Sequence, residues 1–180
     1  MKETAVGYKN ITLDVPFLGY FEALDVGYEK AVTSCGMCSV AMILSFKLKK
    51  FSLPELIDKG HIDGGYGPNG WIHDYFVNLL TEYQLPAERF EHLSRQDAVK
   101  KITTAIAEEK PVIISGRKMF MEQTSFHMVL IVGYQINESG VCTGFFYHDP
   151  ALTKERGAMF RFVPIETFHQ YWRQMAIMLR

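Results

Sequence analysis

Two cysteines three apart, Cys35 and Cys38, open the apolar run TSCGMCSVAMIL at residues 33–44. A Cys-x-x-Cys pair can exchange a disulfide, supply half of a zinc site, or present one nucleophilic thiol beside a bystander. A dithiol motif needs a strand running straight into the pair within a βαβ pattern. The preceding residues, LDVGYEKAVTS, are polar and irregular instead. A structural zinc site closes with four ligands, commonly as two close pairs. After Cys38 only Cys142 remains, with His148 beyond it, and no second close pair exists.

The nucleophile reading asks for a helix starting at Cys35. A thiol in a first helical turn faces free N–H groups and the positive end of the helix dipole. Both lower its pKa, and the thiolate is the reactive form. Thr33 or Ser34 is the expected N-cap. The plain alternative is that Cys35 is a small buried hydrophobe. Cys38 then lies one turn along the same helix, where a packing role is expected and an unstrained disulfide to Cys35 is slightly out of reach.

A nucleophile also needs a base and a group that orients the base. His127 begins FHMVLIVGY and is the one polar side chain of that apolar stretch. A lone histidine in such a place is commonly a satisfied core residue. Asp149, however, ends the segment GFFYHDP. A hairpin turning within NESG places His127 opposite residues 150 to 152, with Asp149 at the same end of the ladder. Opposite and diagonal neighbours on a strand pair lie about 5 to 8 Å apart. A carboxylate there fixes the imidazole tautomer and favours the imidazolium. His148 adjoins Asp149, but alternate strand residues face opposite sides, so it is expected on the other face. His61, His92 and His169 stand in polar settings, expected to be exposed and without a role.

The elements that must position these groups fall into two halves. SCGMCSVAMILSF is apolar all round, as in a buried helix. SLPELIDKG has a Ser cap, an early Pro and a terminal Gly, the marks of a short helix. GWIHDYFVNLLTEYQL sets Ile72, Phe76, Leu79 and Leu80 on one helical face, with Asn69 as its expected cap. SRQDAVKKITTAIAEEK reads as another helix. PVIIS, FHMVLIVGY, GVCTGFFYHDP, AMFRFVP and AIMLR read as strands, with IETFHQYW a helix between the last two. Helices first and antiparallel strands after describe an α+β domain. GGYGPNG, residues 64–70, lacks the Gly-Lys-Ser/Thr of a phosphate loop and reads as a turn.

At 180 residues the chain has the length of a single domain, 1–180. It is 48% hydrophobic and 22% charged, with a formal net charge of −1. That balance gives no electrostatic case for nucleic acid or an anionic membrane as partner. Lys47, Lys49 and Lys50 read as the solvated end of a helix, where cations suit the dipole. No stretch is long and apolar enough to span a bilayer. The start MKETAVGYKN lacks a secretory apolar region, and three free thiols fit a reducing compartment. A cytoplasmic location is expected, or a secreted one if a signal preceded this sequence. Nothing here fixes an oligomeric state.

Taken in order, LDVPFLGY, SCGMCSVAMIL, GWIHDYFVNLLTEYQL, PVII, FHMVLIVGYQ and YHDP resemble the bacteriocin-leader-processing cysteine peptidases, family thirty-nine of the papain-like group, and their stand-alone relatives. The resemblance covers nearly the whole chain. It implies a papain-like fold with a helical N-terminal half packed on a C-terminal antiparallel sheet. It implies Cys35 as nucleophile, His127 as general base and later acid, and Asp149 as the orienting carboxylate. The family carries an oxyanion-binding Gln upstream of the cysteine. Here Tyr20 stands at the aligned place, while an ungapped count from Cys35 reaches Glu29. A tyrosine hydroxyl can donate to an oxyanion, and a carboxylate cannot. Trp71 and His73, beside the Gly-rich loop, are candidates for the cleft rim.

The expected activity is that of a cysteine peptidase or amidase acting on a peptide or amide substrate, without metal or cofactor. A catalytically idle peptide-binding domain and a thiol-dependent acyltransferase are the alternatives.

Overall fold

β6 (Phe126–Asn137) is the axis of the fold. The computed structural model describes residues 7–48 and 52–180; the first six residues and residues 49–51, with Lys49 and Lys50 of the basic run, lie outside the described residues. Along one edge of β6 lie two antiparallel partners. β5 (Val112–Arg117) takes its first half and β1 (Tyr8–Thr12) its second. Along the other edge runs β7 (Cys142–His148). β8 (Arg161–Pro164), β9 (Trp172–Leu179) and β4 (Ala87–Phe90) complete a seven-stranded sheet in the order β4-β9-β5-β6-β7-β8.

From His127 to Gly133 every residue of β6 is buried. A strand covered on both faces loses the apolar-polar alternation, which is why FHMVLIVG reads as one apolar run. The β6–β7 register is the expected one. Leu130 faces His148 and Tyr134 faces Phe145, so Asp149 leaves β7 at the end where His127 enters β6.

The helical layer contains a 3₁₀ turn (Tyr20–Val26), α1 (Tyr28–Val32), α2 (Cys35–Leu48), α3 (Leu53–Ile62) and α4 (His73–Glu82). α2 is buried from Gly36 to Leu44 and packs on β6 and β5. Its all-round apolarity follows from that central place. α5 (Arg95–Ala107) packs on β6 and β9, and α6 (Ile165–Tyr171) on β7. Among the described residues, no helix is long and apolar enough to cross a membrane.

Several expectations are corrected. The halves are less segregated than the sequence order implies, because β1 and β4 come from the first half and join the sheet. Gly60 does not end α3, which runs on to Ile62. A Cβ at residue 60 would sit 2.6 Å from the Trp71 ring, so the glycine is a packing site inside the helix.

GGYGPNG is no simple turn before a helix capped by Asn69. It carries a small hairpin, β2 (Tyr66–Gly67) against β3 (Gly70–Trp71), and α4 starts at His73 with Ile72 as its cap residue. Phe76, Leu79 and Leu80 are buried as expected, but Ile72 is 49% exposed because it precedes the helix. His61 and His169 are half-buried rather than exposed, each with Nε2 enclosed and unpartnered among the described residues.

Candidate active site

The site forms where the start of α2 meets the entry of β6. Cys35 is the first residue of α2. Gly36 explains how the helix comes so close. A Cβ there would overlap the Phe76 ring of α4 and lie 2.8 Å from the Met128 sulfur of β6. Only a residue without a side chain lets the helix press its first turn against the neighbour of His127.

The expected caps are absent in one respect. The Ser34 hydroxyl turns back to the Lys30 carbonyl, and the Thr33 hydroxyl to those of Glu29 and Lys30. Ser34 contributes to α2 through its backbone, its carbonyl accepting from the Cys38 N–H at 2.8 Å. The hydroxyls therefore tie α1 to the junction, instead of covering the helix start beside the thiol.

His127 is 6% exposed and Asp149 fully buried. The His127 Nε2–H donates to Asp149 Oδ1 at 2.7 Å. The same oxygen accepts the Ala151 N–H at 3.0 Å. This contact leaves Nδ1 facing the cleft, where the Tyr20 hydroxyl lies 3.5 Å away and the two rings meet edge to face at 6.3 Å. Tyr20 is itself anchored to the end of β7, its N–H donating to the Pro150 carbonyl at 3.0 Å. Glu29, the competing position, is exposed on α1 and does not border the cleft.

The electrostatics separate these groups. Burial alone would raise the Cys35 thiol. The hydrogen bond and charge of His127, the Met128 backbone and the Tyr20 hydroxyl outweigh it and hold Cys35 below the ordinary thiol range. Burial likewise pulls His127 down, but its hydrogen bonds to Asp149 and Cys35, with their charges, push it up to about 9. Asp149 stays below its ordinary value because the His127 hydrogen bond and charge overcome its burial. Near neutral pH these shifts favour a thiolate–imidazolium pair beside a carboxylate. Tyr20 is raised, by burial first and then by the neighbouring thiol charges, so it stays a protonated donor.

Cys38 goes the other way. It is fully buried and raised well above the usual thiol range, by burial and by the charge of Cys35. All three cysteines are free, and among the described residues no three His, Cys, Asp or Glu side chains converge as a metal site. His148 points into the core. The Phe160 N–H donates to its Nδ1 at 3.2 Å, so Nε2 carries the proton and donates to the Val15 carbonyl at 3.1 Å. Burial lowers its pKa and the ring stays neutral. His92 is exposed.

A cleft of about 600 Å³ opens over Cys35 and His127. Trp71 and His73 both border it. The Trp71 indole donates to the Thr33 carbonyl at 3.0 Å, which pins the β2–β3 hairpin to the start of α2. Burial and the charges of Arg89 and Arg173 lower His73. The wall also holds Phe21, Leu24, Tyr28, Lys118, Phe126 and Arg173, which sequence reasoning missed. No local pattern marks them. The sheet order brings the ends of β5 and β9 beside His127, and strands so far apart in sequence announce no such pairing.

Comparison with known proteins accords with this architecture. A C39-like peptidase from Bacillus anthracis superposes with a TM-score of 0.68 at 18% identity, covering 96% of this chain and 98% of that one. A double glycine motif protease from an AMS/PCAT transporter, solved in complex with the leader peptide, gives 0.59 at 18%, covering 93% of each chain. The peptidase domain of Streptococcus ComA, a bifunctional ABC transporter, gives 0.58 at 14%, covering 82% and 90%. At these identities the likeness is one of fold. No curated protein matches the chain. The model of the Peptidase C39 like family matches residues 12–177, and the chain belongs to that family.

Proposed function

We propose that the protein is a cysteine peptidase or amidase in which Cys35 attacks, His127 moves the proton and Asp149 orients His127. The observation that carries this reading is geometric: Cys35 heads α2 at a cleft it shares with His127, and the His127 ring is bonded to the buried Asp149 carboxylate at 2.7 Å, with Cys35 lowered and His127 raised as that pairing requires. A packing cysteine has no use for that pairing. An idle peptide-binding domain would not need a buried carboxylate held against the imidazole either.

The Cys35 thiolate adds to the substrate carbonyl carbon, and the carbonyl electron pair moves onto oxygen. The backbone N–H of Cys35 at the start of α2 and the Tyr20 hydroxyl donate to that oxyanion. Collapse expels the amine, which takes its proton from His127 and leaves a thioester on Cys35. Neutral His127 then draws a proton from water as the water attacks the thioester. The acid product leaves and the ion pair re-forms. Asp149 holds the imidazole in one tautomer throughout. A peptide substrate is supported by family membership and by the leader peptide bound to the transporter protease.

The test is a fluorogenic peptide library turned over by wild type and by Cys35→Ala, with iodoacetamide labelling at pH 6 to 7. Wild type should hydrolyse library members and label at Cys35 faster than glutathione does. A thiol no more reactive than glutathione, with no turnover, would overturn the reading. An added amine separates hydrolysis from acyl transfer through the product formed.

A further inference from the structure

Beyond the Cys35–His127 pair, the charged side chains that line the cleft over Cys35 are cations. Among the described residues that line it there is no Asp or Glu, while Lys118 and Arg173 both border it. Neither cation makes an ion pair among the described residues. The carboxylates of Glu91 and Asp74 act on His73, as Arg173 does, but they do not line the cleft.

The placement of the two cations is also held. Arg173 is the second residue of β9, with its guanidinium carbon 4.2 Å from the centre of the Phe126 ring. Phe126 immediately precedes His127. A guanidinium over a ring keeps its N–H edge available, and that edge matches a carboxylate in two parallel hydrogen bonds. Arg117 lies 4.7 Å from the same ring, but it donates to the Thr124 carbonyl. Lys118 is fixed through its backbone. Its N–H donates to the Ser125 carbonyl at 3.0 Å and its own carbonyl accepts the Thr124 hydroxyl at 3.1 Å. The loop closing the β5–β6 hairpin thus holds one cation at the cleft edge, and the start of β9 holds the other.

We infer that this cleft reads a carboxylate: the peptides or amides it cleaves carry an Asp or Glu side chain, or a free carboxyl terminus, close to the scissile bond, held by Arg173 with Lys118. The inference rests on Cys35 being the nucleophile.

The experiment uses matched thiol probes on the whole chain. Iodoacetyl-glycine carries a terminal carboxylate, and iodoacetyl-glutamate α-amide a side-chain carboxylate. Their neutral partners are iodoacetyl-glycinamide and iodoacetyl-glutamine α-amide. Each acid's rate at Cys35 is divided by that of its partner in the same variant, so a general loss of reactivity cancels. The acid-to-amide ratio should exceed that of glutathione by roughly tenfold for at least one pair. It should fall in high salt and collapse in Arg173→Gln, with a smaller fall in Lys118→Gln. The favoured acid names the source of the carboxylate.

If all four probes label Cys35 no faster than glutathione, the nucleophile reading fails. If labelling is fast but both ratios equal those of glutathione, the carboxylate inference fails and the nucleophile reading stands. The inference also fails if a preference survives in Arg173→Gln and in Lys118→Gln, because His127 would then be its origin.

Discussion

β6 and β7 each carry a buried histidine, and the two end up in opposite states. His127 stands at the cleft end of β6, bonded to a carboxylate and raised to about 9. His148 faces the core from β7, bonded only to backbone groups and lowered. Burial pulls both rings toward neutrality, so burial alone cannot separate them. The difference lies in their partners. A carboxylate and a thiol favour the charged ring, while a carbonyl and an N–H define one neutral tautomer. The cysteines of α2 repeat the lesson over a single helical turn. Cys35 has His127 beside it and is lowered, whereas Cys38 has no such partner and is raised by burial and by the charge of Cys35.

The largest expected break in this contrast comes from the thiols. Cys35→Ala should abolish turnover of any library peptide, a loss on the order of 10⁶ if the chemistry follows the acyl-transfer pattern. It should also remove iodoacetamide labelling at neutral pH. Cys38→Ala should label at Cys35 within about twofold of wild type. Peptide mapping after alkylation decides. Labelling at Cys38 that equals labelling at Cys35 would erase the difference between the two.

Asp149→Asn comes next. An asparagine keeps the shape but no longer favours the charged ring, so turnover should fall by roughly 10⁴. The pH profile should move with it. The ion pair exists between the lowered Cys35 and the raised His127, and it is lost as pH rises through about 9 in wild type. Without the carboxylate, His127 drops toward its buried neutral state, so the alkaline limit of turnover should shift to lower pH and the acidic edge of Cys35 labelling to higher pH. An unmoved limit would mean that Asp149 does not set the His127 pKa.

Tyr20→Phe should be milder, about 10²–10³ in turnover, the loss typical of one oxyanion donor. Alkylation needs no oxyanion, so iodoacetamide labelling should change far less. Equal losses in both readouts would place Tyr20 among the groups that set the Cys35 thiol rather than among those that bind the oxyanion.

How much of this was legible follows the range of the interactions. The β6–β7 ladder is set by the short NESG turn and by apolar runs on both sides, so Asp149 could be placed beside His127 from sequence. Cys35 beside Gly36, at the head of an all-apolar run, marked the central helix. β1 and β4 were not legible. YKNIT is mostly exposed and AERF has one buried residue, and both become strands because β6 and β9 offer them an edge. Gly60 reads as a helix stop until Trp71 arrives over it from the hairpin. Arg173 and Lys118 reach the cleft only through the strand order. What local chemistry fixes could be read, and what long-range pairing decides could not.

The smallest effect on activity should come from the other histidine. His148→Phe keeps an aromatic ring between Phe17 and Phe160, whose rings meet it at 6.0 and 4.8 Å. It removes the acceptor of the Phe160 N–H and the donor to the Val15 carbonyl. The buried Val15 carbonyl then lacks its partner, which destabilises by about 1 to 3 kcal/mol, while the Phe160 N–H, on an exposed residue, turns to water. The midpoint of urea unfolding should fall accordingly with an unchanged slope. Labelling of Cys35 in the native range should stay within about twofold, because nothing in the cleft touches His148. The Val15 carbonyl it holds lies in the segment leading to Tyr20, so one further outcome is informative. A selective loss of turnover, with labelling intact, would show that the core histidine positions Tyr20 across the sheet, and the two histidines would then act on one site from opposite sides.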